Sequence, residues 1–279
     1  MPLFPYLEEE LCLKKVSLKL LQQKMALPTL LPSSLSSPLS KLKSMTLGFI
    51  EDIESLPDEW ALHLNSLKRL EIWGCPTLTS LSRTVRYLTS LEELSVSNCK
   101  EFDPLSDVDD DGMEWRRLNC LHSLSFDSLR KLKSLPTGLQ HVTTLKELFI
   151  SNCHNLISLP EWISELTSLE QLEIVGSTPN LTSLPDGTSC LTSLRCLTIA
   201  DFPNLITFPE SISNLTSLQN LQIRTCPNLT SLPNGMRCLK SLQKLRIVNC
   251  SHLEKKCEEG IGEDWPKISH VTDFSTYFF

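Results

Sequence analysis

The sequence predicts a right-handed parallel α/β solenoid, and three observations predict it. One frame of apolar residues starts at Leu42, Leu67, Leu91, Leu121, Leu145, Leu169, Leu194, Leu218 and Leu242, with most starts 24 or 25 residues apart. In the frames from Leu67, Leu145, Leu194 and Leu218 apolar residues fall at offsets 0, 3, 5, 8, 11 and 14, so positions 3 and 5 alternate as the inward side chains of a short strand do. A Leu-Pro or Phe-Pro pair then follows at Pro57, Pro136, Pro160, Pro185, Pro209 and Pro233. A fixed period of this length decides the architecture before any local propensity does.

Residues 1–41 read as a degenerate amino-terminal repeat and loop. Leu11, Leu13 and Val16 fit offsets 3, 5 and 8, whereas LPTLLPSSLSSPLS breaks the pattern. Residues 42–256 hold about nine repeats. One unit cannot bury its apolar edge alone, but units stacked at about 4.8 Å per strand form a parallel sheet. The residues at offsets 0, 8, 11 and 14 then fill a continuous core behind it. Proline has no amide donor and a fixed φ, so each Leu-Pro should end pairing and open a short helical turn. Ser158 with Glu161 and Thr207 with Glu210 have capping-box spacing. Residues 257–279 read as a carboxy-terminal cap and tail, with Trp265 and Pro266 expected to cover the last apolar layer.

The frame from Leu91 to Leu121 is 30 residues long, and its surplus falls in the acidic stretch near 106–120. There Asp107, Asp109 and Asp111 stand two apart before Gly112, as an EF-hand calcium loop begins. The required bidentate Glu would be at Leu118, and Trp115 occupies the ninth position. A solvated acidic insertion is therefore expected, and no metal. The eleven cysteines do not change that. Five sit at offset 8 (Cys75, Cys99, Cys153, Cys226 and Cys250), where a small, weakly donating side chain packs well. Cys250, His252, Cys257 and His270 lack the paired CxxC spacing of common zinc modules.

The formal net charge of −7 and the scattered Lys and Arg argue against a nucleic-acid partner. No run approaches the roughly 20 apolar residues of a membrane span. The acidic start MPLFPYLEEELCLKK does not read as a signal peptide. A cytoplasmic chain with reduced thiols is expected, its three Asn-Leu-Thr sequons unglycosylated.

Chemistry is thus left to the outward strand positions, offsets 2, 4 and 6, and the residue after them. The candidate partner-binding face comprises Arg69, Glu71, Trp73, Glu93, Glu147, Phe149, Gln171, Glu173, Gln222, Arg224, Lys244 and Arg246. Exposed aromatic side chains on such a face serve as anchors. Its charge runs from acidic in the middle repeats to basic in the last two, which would orient a partner. No catalytic residue is assigned.

The pattern LxxLxIxxCxxLxxLP resembles the leucine-rich repeat. Cysteine at offset 8, the phrase CPNLTSLPNGMRCLKSLQKLRIVNC (226–250) and the tail EEGIGEDWPKISHV (258–271) are similar to the carboxy-terminal repeats of plant nucleotide-binding leucine-rich-repeat immune receptors of the coiled-coil class. The resemblance covers about residues 42–271. It implies a horseshoe with a parallel concave sheet and short helical or irregular convex segments. It also implies a non-catalytic domain that senses a pathogen effector or host protein and restrains the nucleotide-binding domain of the same receptor. No GxxxxGK[ST] phosphate loop occurs, so the ADP or ATP of that family is not expected on this chain. A stand-alone intracellular scaffold or adaptor is the other reading. A repeat-linked ubiquitin ligase would need a catalytic domain for which the repeats leave no room.

Overall fold

The computed structural model describes residues 9–19, 38–105, 113–176 and 182–277. They form two compact units. The first contains the chain up to Leu132 and Pro136–Val142, the second Lys133–Leu135 and everything from Thr143.

In the first unit β1 (Glu10–Lys14), β2 (Ser44–Gly48), β3 (Arg69–Trp73), β4 (Glu93–Ser97) and β5 (Ser123–Asp127) pair in sequence order, all parallel. The register stacks equal offsets, as in the row Leu11, Met45, Leu70, Leu94 and Leu124. Those residues and the frame starts from Leu42 to Leu121 are buried. Behind the sheet lie short helical turns at Asp58–Ala61, Ser82–Val85, Met113–Arg117 and Thr137–His141. The weak amino-terminal frame is thus a paired strand.

Asp107, Asp109, Asp111 and Gly112 lie outside the described residues. Trp115 corrects the picture of the insertion as solvated throughout. Its side chain is fully buried on the turn Met113–Arg117, edge-on to Phe126 with ring centroids 6.0 Å apart. The excursion therefore ends in a core anchor.

In the second unit β6 (Glu147–Ser151), β7 (Gln171–Val175), β8 (Cys196–Ala200), β9 (Asn220–Arg224), β10 (Lys244–Val248) and β11 (Asp273–Tyr277) again pair in order and in parallel. Pro160, Pro185, Pro209 and Pro233 each precede a 3-10 turn, at Glu161–Glu165, Asp186–Cys190, Glu210–Asn214 and Asn234–Cys238. The expected capping boxes do not form, because neither Pro-led turn receives a side-chain cap. The two glutamates reach forward instead. Glu161 accepts the Gly187 amide at 3.2 Å, and Glu210 accepts those of Asn234 and Gly235 at 3.1 and 2.9 Å. A Cβ on Gly235 would lie 2.4 Å from the Glu210 carbonyl oxygen, so only glycine admits this approach.

The carboxy-terminal cap holds a strand that the sequence did not place. The Asp273 amide donates to the Gln243 carbonyl at 2.8 Å, extending the ladder through β11. Trp265 is only half-buried and tilts onto Phe274 at 5.7 Å. Ile268, fully buried, lies in the last layer instead.

One backbone device recurs in every frame. The residue at offset 7 has a positive φ: Lys15, Phe49, Gly74, Asn98, Ser128, Asn152, Gly176, Asp201, Thr225 and Asn249. This lets its amide donate to the last strand carbonyl of the next repeat, as from Asn152 to Val175 at 2.7 Å and from Thr225 to Val248 at 2.8 Å. Asn tolerates this region and a β-branched residue does not. Thr225→Asn is therefore expected to raise stability by about 1 kcal/mol, read as a higher denaturant midpoint at unchanged m-value. A lower midpoint would show that the Thr225 side chain compensates for its backbone.

Candidate recognition surface

The strand faces follow from the alternation just described. In β3, β6 and β9 the inward residues are buried, and none of the twelve candidate residues is. β8 departs from this pattern: Thr198 and Ala200, at outward offsets, are 9% and 2% exposed. Both are small and lie between the longer side chains of β7 and β9, so the face has a recessed floor there.

On the first unit Arg69 donates through Nε and Nη2 to the two carboxylate oxygens of Glu93 at 2.7 and 2.8 Å. Glu71 accepts from Thr46 at 3.4 Å. Beside them Ser95, Ser123 and Ser125 line a hollow of about 280 Å³. On the second unit Gln171 donates to Glu147 at 3.5 Å, and Lys244 pairs with Asp273 at 3.2 Å. The signal for these pairings was already in the sequence, since Arg69 and Glu93, like Glu147 and Gln171, share offset 2 in consecutive frames. Such exposed pairs contribute little to stability; they hold long side chains in place. Phe149, Glu173, Gln222, Arg224 and Arg246 stand on β6, β7, β9 and β10.

Trp73 occupies a more built environment than its sequence position indicated. Its indole covers Gly48, where a Cβ would come within 2.7 Å of the ring. Phe49 meets it edge-on with centroids 4.4 Å apart, and the Phe49 ring covers Gly74 just as closely. Lys14 Nζ lies 5.3 Å from the Trp73 ring centre and Lys15 Nζ 5.8 Å from that of Phe49. Phe49 was not among the sequence candidates, yet it is 42% exposed at a φ of 51°. A left-handed conformation costs about 1–2 kcal/mol for a residue with a Cβ, and an aromatic pair contributes about 0.5–1.5 kcal/mol. The ring pairing by itself is of the same order as the strain.

The offset-8 thiols are buried packing groups. Sγ of Cys99, Cys153, Cys226 and Cys250 each lies 3.3–3.4 Å from the carbonyl two residues earlier. The neighbouring sulfurs of Cys75 and Cys250, with burial, push the Cys99 and Cys226 thiols above their ordinary range, and burial raises Cys257 to about 12. Sulfur held protonated in this way is a poor nucleophile, while the same pairing pulls the Cys75 thiol down to about 7 and lowers that of Cys250. His270 Nε2 lies 3.0 Å from the Leu239 carbonyl.

Comparison with known proteins supports the repeat assignment. Residues 139–274 match a model described as a leucine-rich repeat region, and residues 54–178 match the leucine-rich repeats of plant disease resistance protein RPS2-like. No curated protein matches the sequence. Among solved structures, the leucine-rich repeat domain of the type III effector XopL aligns at 17% identity with a TM-score of 0.56, over 91% of this chain and 87% of that one. An internalin, inlF, from Listeria monocytogenes aligns at 17% identity and a TM-score of 0.50, over 87% of this chain and 77% of that one. These likenesses concern the fold. Among the described residues no helix is long and apolar enough to cross a membrane. The chain carries a leucine-rich-repeat region, and its parallel, strand-by-strand architecture is that of the leucine-rich-repeat solenoid.

Proposed function

We propose that the chain is a non-catalytic protein-recognition module, the ligand-sensing and autoinhibitory repeat region of a plant intracellular immune receptor. One observation carries the recognition reading: Trp73, Phe149 and Arg224 project from the outward side of their strands, where the core has no use for them. The match of residues 54–178 to plant disease resistance repeats supports the immune assignment. The partners would be a pathogen effector or host protein and the nucleotide-binding domain of the same receptor, in the cytoplasm. The nucleotide, ADP or ATP, would belong to that domain. A ligand that binds only the released arrangement would shift the receptor's population away from its closed state.

The genomic sequence upstream of the Met1 codon tests the receptor assignment. An in-frame phosphate-loop region is expected there. A clean untranslated region would overturn it in favour of a stand-alone scaffold. With the nucleotide-binding region so identified, a Trp73→Ala, Phe149→Ala, Arg224→Ala variant is expected to bind at least tenfold more weakly while its circular dichroism stays unchanged. Undiminished binding would remove the strand face from the proposal.

A further inference from the structure

The amino-terminal aromatic cluster is specialised beyond a general binding face. Phe49 holds an aromatic ring in solvent on a strained backbone, at an offset that Asn fills in three other repeats. Gly48 and Gly74 are the residues that leave space for the two rings. A left-handed backbone under a half-exposed aromatic ring points to a site whose geometry matters for something else.

The cations define that something. Lys14 and Lys15 hold their ammonium groups over the two rings, and among the described residues neither forms an ion pair. A cleft of about 710 Å³, lined by Lys15, Val16, Ser17, Phe49, Glu51 and Asp52, opens beside them. Asp52 accepts from the Ser17 hydroxyl at 2.5 Å and the Leu18 and Lys19 amides at 2.7 and 3.0 Å, so its charge is spent within the fold. Glu51 is the opposing carboxylate of the cleft. Counting the cleft lining and the two cation–ring contacts alone, two ammonium groups stand against one open carboxylate, on a chain whose net charge is −7. Long-range attraction would therefore steer basic partners here and repel acidic ones, and a preference for acid must arise from these two lysines.

We propose that the Lys14–Lys15–Phe49–Trp73 cluster is a docking subsite for an acidic peptide segment of a protein partner, its carboxylates meeting the ammonium groups and an adjacent apolar side chain lying on the rings. The subsite rests on the reading of the chain as a recognition module and names the chemistry selected at one end of its face.

The test uses the full chain and a displayed library of random dodecapeptides. Peptides selected on the unaltered chain are expected to be enriched in Asp and Glu next to aliphatic or aromatic residues. They should bind Lys14→Gln, Lys15→Gln protein at least tenfold more weakly, while Lys14→Glu, Lys15→Glu protein should select basic peptides. Both variants alter solvent-facing positions, and unchanged melting curves would show that they fold. A selected pool without acidic enrichment, or acidic peptides held equally well by the Gln variant, would overturn the proposal. Peptides lost on Phe149→Ala, Arg224→Ala protein and retained by the Gln variant would overturn this subsite and leave the recognition reading standing. A library yielding no binder would overturn both.

Discussion

Replacing Asp264 by alanine is expected to cost about 3–5 kcal/mol of folding stability. The Asp264 side chain is 4% exposed. It accepts from the Leu232 amide at 2.7 Å and the Ser231 hydroxyl at 2.8 Å, and pairs with Lys267 Nζ at 2.6 Å. The alanine variant would leave the Leu232 amide unpaired and the Lys267 ammonium, whose side chain is 14% exposed, without its counter-charge. Breaking a buried pair by deleting one partner is much more costly than never having had it. A lower urea midpoint and faster hydrogen exchange at the Leu232 amide would report the loss. Unchanged exchange there would show that the clamp does not hold the second unit.

The same residue sets an acid limit. Burial pushes the Asp264 pKa up, but the Lys267 bond, the Leu232 amide and the Ser231 hydroxyl outweigh it and hold the group below the ordinary value of 3.8. A depressed folded pKa means that this stabilisation is complete above the unfolded value and drains away as pH falls through the folded one. The unaltered chain should therefore lose stability below about pH 4 in part through Asp264, and the Asp264→Ala protein should show a flatter acid limb.

Trp115→Ala is expected to cost about 3–5 kcal/mol in the first unit. The side chain is fully buried against Phe126, which also meets Phe102 at 6.2 Å. Trp115→Phe should cost only about 1 kcal/mol, because the buried indole Nε1 has no hydrogen-bond partner among the described residues and removing an unsatisfied donor recovers part of the lost packing. Thermal melts of the two variants check the ordering. Equal losses would show that the indole N–H is satisfied after all.

The strands were legible because a period of two cannot be confused with the surrounding turns. Leu70 and Ile72 had to face inward once Leu67 and Cys75 were in the frame, and Arg69, Glu71 and Trp73 had to face out. That logic placed β1 at Leu11 and Leu13 and put all twelve candidate residues at unburied positions. It missed what depends on contacts between repeats. Glu161 and Glu210 have the spacing of local caps, yet the nearest unpaired amides belong to the turn of the next repeat. Thr198 and Ala200 are hidden by longer neighbours on adjacent strands, which no single-strand pattern records. Trp115 looked like part of a charged loop because its own segment is polar, and only its packing against Phe126 on a neighbouring strand explains it. β11 escaped notice because its strand is not followed by the offset-8 cysteine and leucine ladder. Phe49 stands at offset 7, a position open to recognition, yet it was passed over because its edge-on contact with Trp73 in the next repeat leaves no trace in its own frame.

The left-handed residue at offset 7 also bears on how such a gene can change in length. Its amide meets the same carbonyl of the next repeat whether the residue is Lys, Phe, Gly, Asn, Asp or Thr. Each joint is therefore written in backbone atoms, and either side of it accepts any neighbour cut to the same 24-residue measure. Unequal crossing-over that adds or removes a whole unit would leave every remaining joint intact and shift the outward residues past one another as a block. Copy number could thus vary faster than point substitution, and new combinations of surface side chains would arise on a scaffold that never had to be reinvented.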